Sequence, residues 1–299
     1  MAISFGDNLD KSFAYTNGAF KKFSGWFILI ILSAIIYGAT FAMVFAMIAF
    51  FIGIFMALPA SGLTDVAGVT TVTSGSYVDI GPVPSDPVFF VTGNELMLSG
   101  ILIVGFLAVT LICTLVVMIA GCFQNGFILR VYRGGELNFK NFGRMFLEGI
   151  VYLVISVIYL LPYMIISELV VLGPIWNDAY FIIVCLLLPV LLCIFSTILA
   201  VNAGIRYAKE GRFGAAFQIG KLCSIVGNIG WLRYLGHILL MGIIIFAVEL
   251  VLMMIPFAGG ILLIVTLPFI MIFQAKFFAN LYESGEALED PAEVPAVVE

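Results

Sequence analysis

Four cations in this 299-residue chain have the type and spacing to hold a phosphate. The segment Arg130-Val-Tyr-Arg-Gly-Gly135 aligns with Arg206-Tyr-Ala-Lys-Glu-Gly211 at an offset of 76, matching Arg130 to Arg206, Arg133 to Lys209 and Gly135 to Gly211. Lys276 through Tyr282 to Gly285 is a weaker third copy. Cations at a helix C-terminus complement the helix dipole and attract anionic headgroups, and a following glycine permits a left-handed cap. Two readings stay open. One is ordinary anchoring of membrane spans by positive charge on the inner side. The other is a phosphate- or lipid-headgroup-binding site built from Arg130, Arg133, Arg206 and Lys209.

Carboxylates offer a second chemistry. Glu249 lies within an apolar run, seven positions before the turn Pro256-Phe-Ala-Gly-Gly260, which puts it about 10 Å below the outer surface. An ionised carboxylate at that depth is costly, so it should face the bundle, pair or carry a proton. Glu168, near the end of another apolar run, is the neighbour that topology offers, and two acids together favour a shared proton or a bound cation. A protonated Glu249 with a structural hydrogen bond fits the sequence equally well. No residue set points to catalysis: there is no Gly-x-x-x-x-Gly-Lys-Ser/Thr loop, no Gly-x-Ser-x-Gly elbow and no His-Glu-x-x-His. A single histidine (His237) and no Cys-x-x-Cys lead us to expect neither metal nor cofactor. The five cysteines, Cys113, Cys122, Cys185, Cys193 and Cys223, read as small buried apolar residues. None falls in an outer loop, so no exterior disulfide is expected.

The elements that must position these groups are membrane spans. Apolar residues make up 63% of the chain and charged residues 10%, against about 45–50% and about 25% in soluble domains. That leaves too little charge to cover a water-facing surface. Six stretches reach the roughly 20 apolar residues a bilayer requires: Trp26–Leu58, Leu96–Leu129, Ile150–Leu172, Tyr180–Val201, Leu235–Ile255 and Ile261–Phe278. Their continuous apolar character excludes the alternation of barrel strands, so the fold is an all-α integral membrane bundle. With the N-terminus inside, all 13 Lys and Arg fall on the inner side or at its boundary, and the outer loops carry only acids such as Asp65, Asp79 and Asp86. Both termini are therefore expected in the cytoplasm of a multi-pass cell-membrane protein.

The spans read as three hairpins, each preceded by an amphipathic interfacial helix: Asp7–Phe23, with Leu9, Phe13, Phe20 and Phe23 at helical spacing; Glu136–Glu148, with Phe139, Phe142 and Phe146; and Arg212–Ser224, with Phe213, Ala216, Phe217 and Gly220. Span 1 carries Ala34, Gly38, Ala42, Ala46, Gly53 and Ala57 close to a four-residue repeat, a stripe that lets a second helix approach. Its 33 residues must tilt, break near Gly53 or project. Pro162, Pro189 and Pro268 should kink spans 3, 4 and 6. The outer loop, 59–95, is β-prone at Val69-Thr-Thr-Val-Thr73 and Tyr77-Val-Asp-Ile80. A membrane domain over 1–285 is then followed by an acidic disordered tail over 286–299.

The runs Gly126-Phe-Ile-Leu-Arg-Val-Tyr-Arg-Gly-Gly135, Leu137-Asn-Phe-Lys-Asn-Phe-Gly143, Phe146-Leu-Glu-Gly149, Ile158-Tyr-Leu-Leu-Pro162 and Arg206-Tyr-Ala-Lys-Glu-Gly-Arg-Phe-Gly-Ala-Ala-Phe217 resemble the archaeal membrane family known as domain of unknown function 4013. The resemblance covers roughly residues 7–285 apart from the first outer loop. It implies a six-span archaeal membrane protein and supplies no activity or site. Three functions remain in view. The first is a non-enzymatic protein that organises lipid or binds partners. The second is a small-solute or ion carrier or channel using Glu249 and kinked helices. The third, a lipid-processing enzyme gripping phosphate with its arginines, has no nucleophile or metal set beside the cations. Expected partners are the bilayer, anionic headgroups at the cytoplasmic face, and a membrane protein or second copy of the chain; no nucleic acid is expected.

Overall fold

A helix in lipid must satisfy its own backbone, so an apolar run continues as helix until a specific residue stops it. The structure, a computed structural model, describes residues 3–20, 23–62, 93–135, 139, 141–172, 179–256 and 258–289. These form α1 (Phe5–Phe20), α2 (Phe23–Gly62), α3 (Gly93–Tyr132), α4 (Phe142–Leu172), α5 (Ala179–Glu210), a 3₁₀ turn (Phe213–Phe217), α6 (Ile219–Ile229), α7 (Trp231–Met253) and α8 (Gly259–Glu289), with no strand among the described residues. Six helices, α2, α3, α4, α5, α7 and α8, are long and apolar enough to cross a membrane. Their outward faces are apolar: Phe41, Phe45, Phe51, Leu107, Leu111, Leu187, Leu239 and Phe246 are all exposed. Surface of that kind demands a non-aqueous cover.

Several expectations are revised. The helices overrun the expected span limits, because little outside the bilayer stops them. Where a separate helix was expected over Glu136–Glu148, α4 instead starts at Phe142 and runs unbroken to Leu172. No glycine or proline separates Phe146 from the apolar run after Glu148 strongly enough to end it. Asn141, in the left-handed region at φ 58°, accepts the Met145 N–H at 3.1 Å and opens the helix; asparagine is one of the few side chains that tolerates this conformation. The expected helix over Arg212–Ser224 divides into the 3₁₀ turn and α6, since Gln218 takes a non-helical conformation between them. Helix α2 passes through Gly53 unbroken; Pro162, Pro189 and Pro268 lie inside α4, α5 and α8 without ending them, which is compatible with a kink at each. Helix α8 extends to Glu289, past the expected start of the tail at 286. The β-prone loop segment over 63–92, and 290–299, lie outside the described residues.

The chain divides into two compact units. In the unit Ile36–Met118, Phe50 stacks on Phe106 with ring centroids 4.7 Å apart, and a Cβ at Gly53 would meet Leu102 at 3.0 Å. Thr40 and Thr114 return their hydroxyls to the carbonyls of Ile36 and Thr110, which satisfies them in an apolar setting.

The other unit, Met1–Ile35 with Ile119–Glu299, holds the main core. Phe127, Leu129, Met145, Ile155, Leu199, Ile205, Leu222, Ile225, Ile272 and Tyr282 are fully or almost fully buried there. Helix α4 packs along α5, while α1, α6 and α7 pack on α8. Helix α1 opens with Ser4, whose hydroxyl accepts the Asp7 N–H at 3.1 Å, as an N-cap does, and donates to the Asp7 carboxylate at 2.6 Å. Its buried stripe is polar: Asn8, Ser12 and Thr16 are fully buried, whereas Phe13 is exposed. Asn8 Nδ2 donates to the Phe277 carbonyl at 3.1 Å and Asn280 Nδ2 to Ser12 Oγ at 3.2 Å. Polar pairing to α8, rather than an aromatic face alone, therefore seats α1.

A candidate anion site at the ends of α3, α4 and α5

The two repeated junctions both end in a left-handed glycine, but not in the expected register. After α3, Gly134 (φ +67°) takes that conformation; its N–H donates to the Val131 carbonyl at 2.9 Å, and the Gly135 N–H to the Arg130 carbonyl at 3.1 Å. This is the two-bond Schellman closure. After α5, Gly211 (φ +69°) donates to the Tyr207 carbonyl at 2.8 Å, the single-bond αL closure. Gly134, not Gly135, is thus the counterpart of Gly211. The third copy fails as a cap: Gly285 lies inside α8, where a Cβ would meet the Ile225 carbonyl oxygen at 2.6 Å. Gly134→Ala should therefore destabilise the protein by about 1–2 kcal/mol, whereas Gly135→Ala, whose Cβ meets only Arg130 O at 3.5 Å, should be close to neutral. Thermal unfolding in detergent reads the contrast.

These closures bring three helix ends together. Arg133 Nε donates to the Ala208 carbonyl at 2.7 Å, one of the last carbonyls of α5, and its Nη1 pairs with Glu148 of α4 at 2.8 Å. A guanidinium at a helix C-terminus satisfies an orphan carbonyl and opposes the dipole's negative end. Glu148 also holds Arg144, one turn before it, at 3.0 Å. Lys209 pairs with Glu286 at 2.8 Å and Glu283 at 3.6 Å on α8, and its ammonium lies 5.2 Å above the Tyr282 ring, within cation–π range. Tyr15 of α1 closes the other side, donating to the Gly135 carbonyl at 3.0 Å, with the Lys276 ammonium 5.3 Å from its ring centre. Burial pushes the Tyr15 hydroxyl up to about 12, so it remains a protonated donor throughout the neutral range.

The four cations read from sequence thus divide. Arg133 and Lys209 line one open cleft together with Arg144, Ala208, Glu210 and Gly211. Arg206 is not on its lining: its side chain is only 4% exposed and is held by Glu210 at 2.8 Å and Gln218 at 2.7 Å. Arg130 is half-buried and also off the lining. Arg144 and Glu148 were not among the expected site residues; their i, i+4 spacing was the one available signal. Glu249 is half-buried on α7 and Glu168 exposed on α4. Helix α4 packs on α5, and α7 on α6 and α8, and no hydrogen bond or ion pair joins the two acids. Among the described residues no cluster of three His, Cys, Asp or Glu could hold a metal ion.

A family model described as protein of unknown function (DUF4013) matches residues 106–257, from within α3 to just beyond α7. This is narrower than the span of the resemblance and takes in both junctions. No curated protein and no solved structure matches the chain. The match covers just over half of the sequence, and the chain, with its six helices able to cross a membrane, belongs to the DUF4013 family of proteins of unknown function.

Proposed function

We propose that this is a non-enzymatic multi-pass protein of the cell membrane, with both termini in the cytoplasm, that organises anionic lipid or docks a membrane partner at its cytoplasmic face. One observation carries the reading: Arg133 at the end of α3 and Arg144 at the start of α4 share Glu148, Arg133 also binds the Ala208 carbonyl at the end of α5, and Lys209 stands beside them on the same cleft. A cationic rim at the ends of spanning helices complements anionic headgroups. Purification in mild detergent followed by mass spectrometry should find an anionic lipid or a partner protein retained. A lipid-free monomer with measurable transport would overturn the reading. For orientation, Ser284→Cys in a chain without its native cysteines should react with an impermeant maleimide only after cells are permeabilised.

The second reading, a carrier or channel, is favoured by one feature. Glu249 is half-buried on α7 with no bonding partner among the described residues. Under our proposal, proteoliposomes of the wild-type protein pass no proton- or cation-coupled flux and Glu249→Gln changes nothing. A flux abolished by Glu249→Gln with folding intact would establish the carrier instead.

A further inference from the structure

The cleft lined by Arg133, Arg144, Ala208, Lys209, Glu210 and Gly211 has a volume of about 430 Å³, within the roughly 300–1,000 Å³ typical of small-molecule sites. Its charged walls are not equally occupied. Arg144 spends only Nε among the described residues, on Glu148 Oε1 at 3.0 Å, and its side chain is 75% exposed, which leaves its terminal nitrogens open to solvent. Arg133 spends Nε and Nη1, leaving Nη2. Among the described lining residues the one acid, Glu210, is taken up by Arg206 at 2.8 Å and Arg212 at 3.3 Å. Glu148 is shared by the two arginines, and Lys209 is paired with Glu286 and Glu283, so the unspent donors of the cleft are those of the two guanidinium groups.

We propose that this cleft is a binding site for a phosphate monoester dianion, held between the guanidinium groups of Arg133 and Arg144, with Lys209, itself paired to Glu286 and Glu283, at its margin. The planar guanidinium fork matches two phosphate oxygens at once. Glu148 fixes both arginines from below, so little side-chain freedom is left to lose on binding. The unspent donors of two neighbouring guanidinium groups suit the three terminal oxygens and roughly −1.5 to −2 charge of a monoester at neutral pH better than the two free oxygens and single charge of a diester. The volume beyond the phosphate admits a glycerol- or sugar-sized group. A lipid headgroup ending in phosphate and a soluble phosphate monoester present the same chemistry. The proposal rests on the reading of this rim as a water-facing surface at headgroup level. Labelling that placed Ser284 outside would overturn the cytoplasmic assignment and leave phosphate binding measurable.

The experiment uses the full chain in phosphatidylcholine nanodiscs with two arms. In the first, inorganic phosphate and glycerol 3-phosphate are titrated calorimetrically. In the second, phosphatidic acid or phosphatidylglycerol is doped into the disc and retention is read by native mass spectrometry. The wild-type protein should bind in at least one arm, with phosphatidic acid preferred over phosphatidylglycerol. Binding in the first arm alone assigns a soluble ligand, and in the second alone a lipid; both support the site. Arg144→Gln should weaken binding about tenfold, as loss of one charge-assisted bidentate contact does, and Arg144→Lys should fall between. Lys221→Gln, an exposed cation of α6 outside the cleft, should leave binding unchanged. Binding by the unaltered chain should also weaken below about pH 6, where the monoester takes up a proton, a readout independent of any variant. Absence of binding in both arms, equal loss in Arg144→Gln and Lys221→Gln, or equal retention of the diester lipid would each overturn the proposal.

Discussion

Alanine at Gly149 is expected to cost about 3 kcal/mol or more of stability, at or above the upper end for overpacked sites. A Cβ there would run into the backbone carbonyl of Cys122 on α3, and one at Gly126 into the carbonyl of Met145 on α4. Neither obstacle is the free end of a flexible side chain, so relief requires the two helices to part. Such close approach is how membrane helices gain packing where burial against lipid gives none, and it brings a Cα–H of one helix against a carbonyl of the other. Gly121 and Gly143 lie on the same two helices with nothing within 4 Å of an added Cβ. Alanine at either should be neutral or stabilising by up to about 1 kcal/mol through helix propensity. Thermal melts of these variants separate a steric requirement from a general effect of glycine. Equal melting temperatures for Gly149→Ala and Gly143→Ala would refute the close-packing account. Because the same contact fixes the distance between Arg133 and Glu148, Gly149→Ala should also loosen the rim.

How far the chain can be read without its structure depends on which interactions are local. Six spanning helices were legible because an apolar run in lipid has one backbone solution. Their limits were less so. A boundary is set by single residues whose backbone conformation leaves the helix, such as Gly134, Gln218 and Asn141, and hydropathy is blind to them. The inner faces were harder still. Asn8, Ser12 and Thr16 repeat every four residues, which by composition marks a watered face, yet they are buried against α8. At the site, the cations were visible but their partners were not: Arg133 reaches Ala208 across 75 positions and Lys209 reaches Glu286 across 77. No local periodicity encodes such pairs. That is why sequence spacing groups Arg206 with the other cations although its buried side chain is off the cleft lining and held by Glu210 and Gln218, and passes over Arg144, which lines the cleft.

Glu148→Gln should separate the structural part of the rim from its binding part. The carboxylate is the common acceptor of Arg133 at 2.8 Å and Arg144 at 3.0 Å, and its side chain is 11% exposed. Removing one partner of a buried ion pair costs about 3–5 kcal/mol. Arg133 is 29% exposed and Arg144 mostly so, and solvent lowers that figure to about 2 kcal/mol. Glu148→Gln keeps the shape and loses the charge, so the melting temperature should fall and the two guanidinium groups, no longer held, should bind phosphate more weakly. Arg144→Gln removes only the exposed half of the network and should cost about 0.5 kcal/mol of stability, even though it removes most of the binding. Arg133→Met combined with Glu148→Leu should recover much of the stability of the single variants, since an apolar pair leaves no buried charge behind. A coupling energy within about 0.5–3 kcal/mol is expected from that cycle. A coupling near zero would show that Glu148 does not hold Arg133, and the cleft would then lose the fixed fork on which its affinity for phosphate depends.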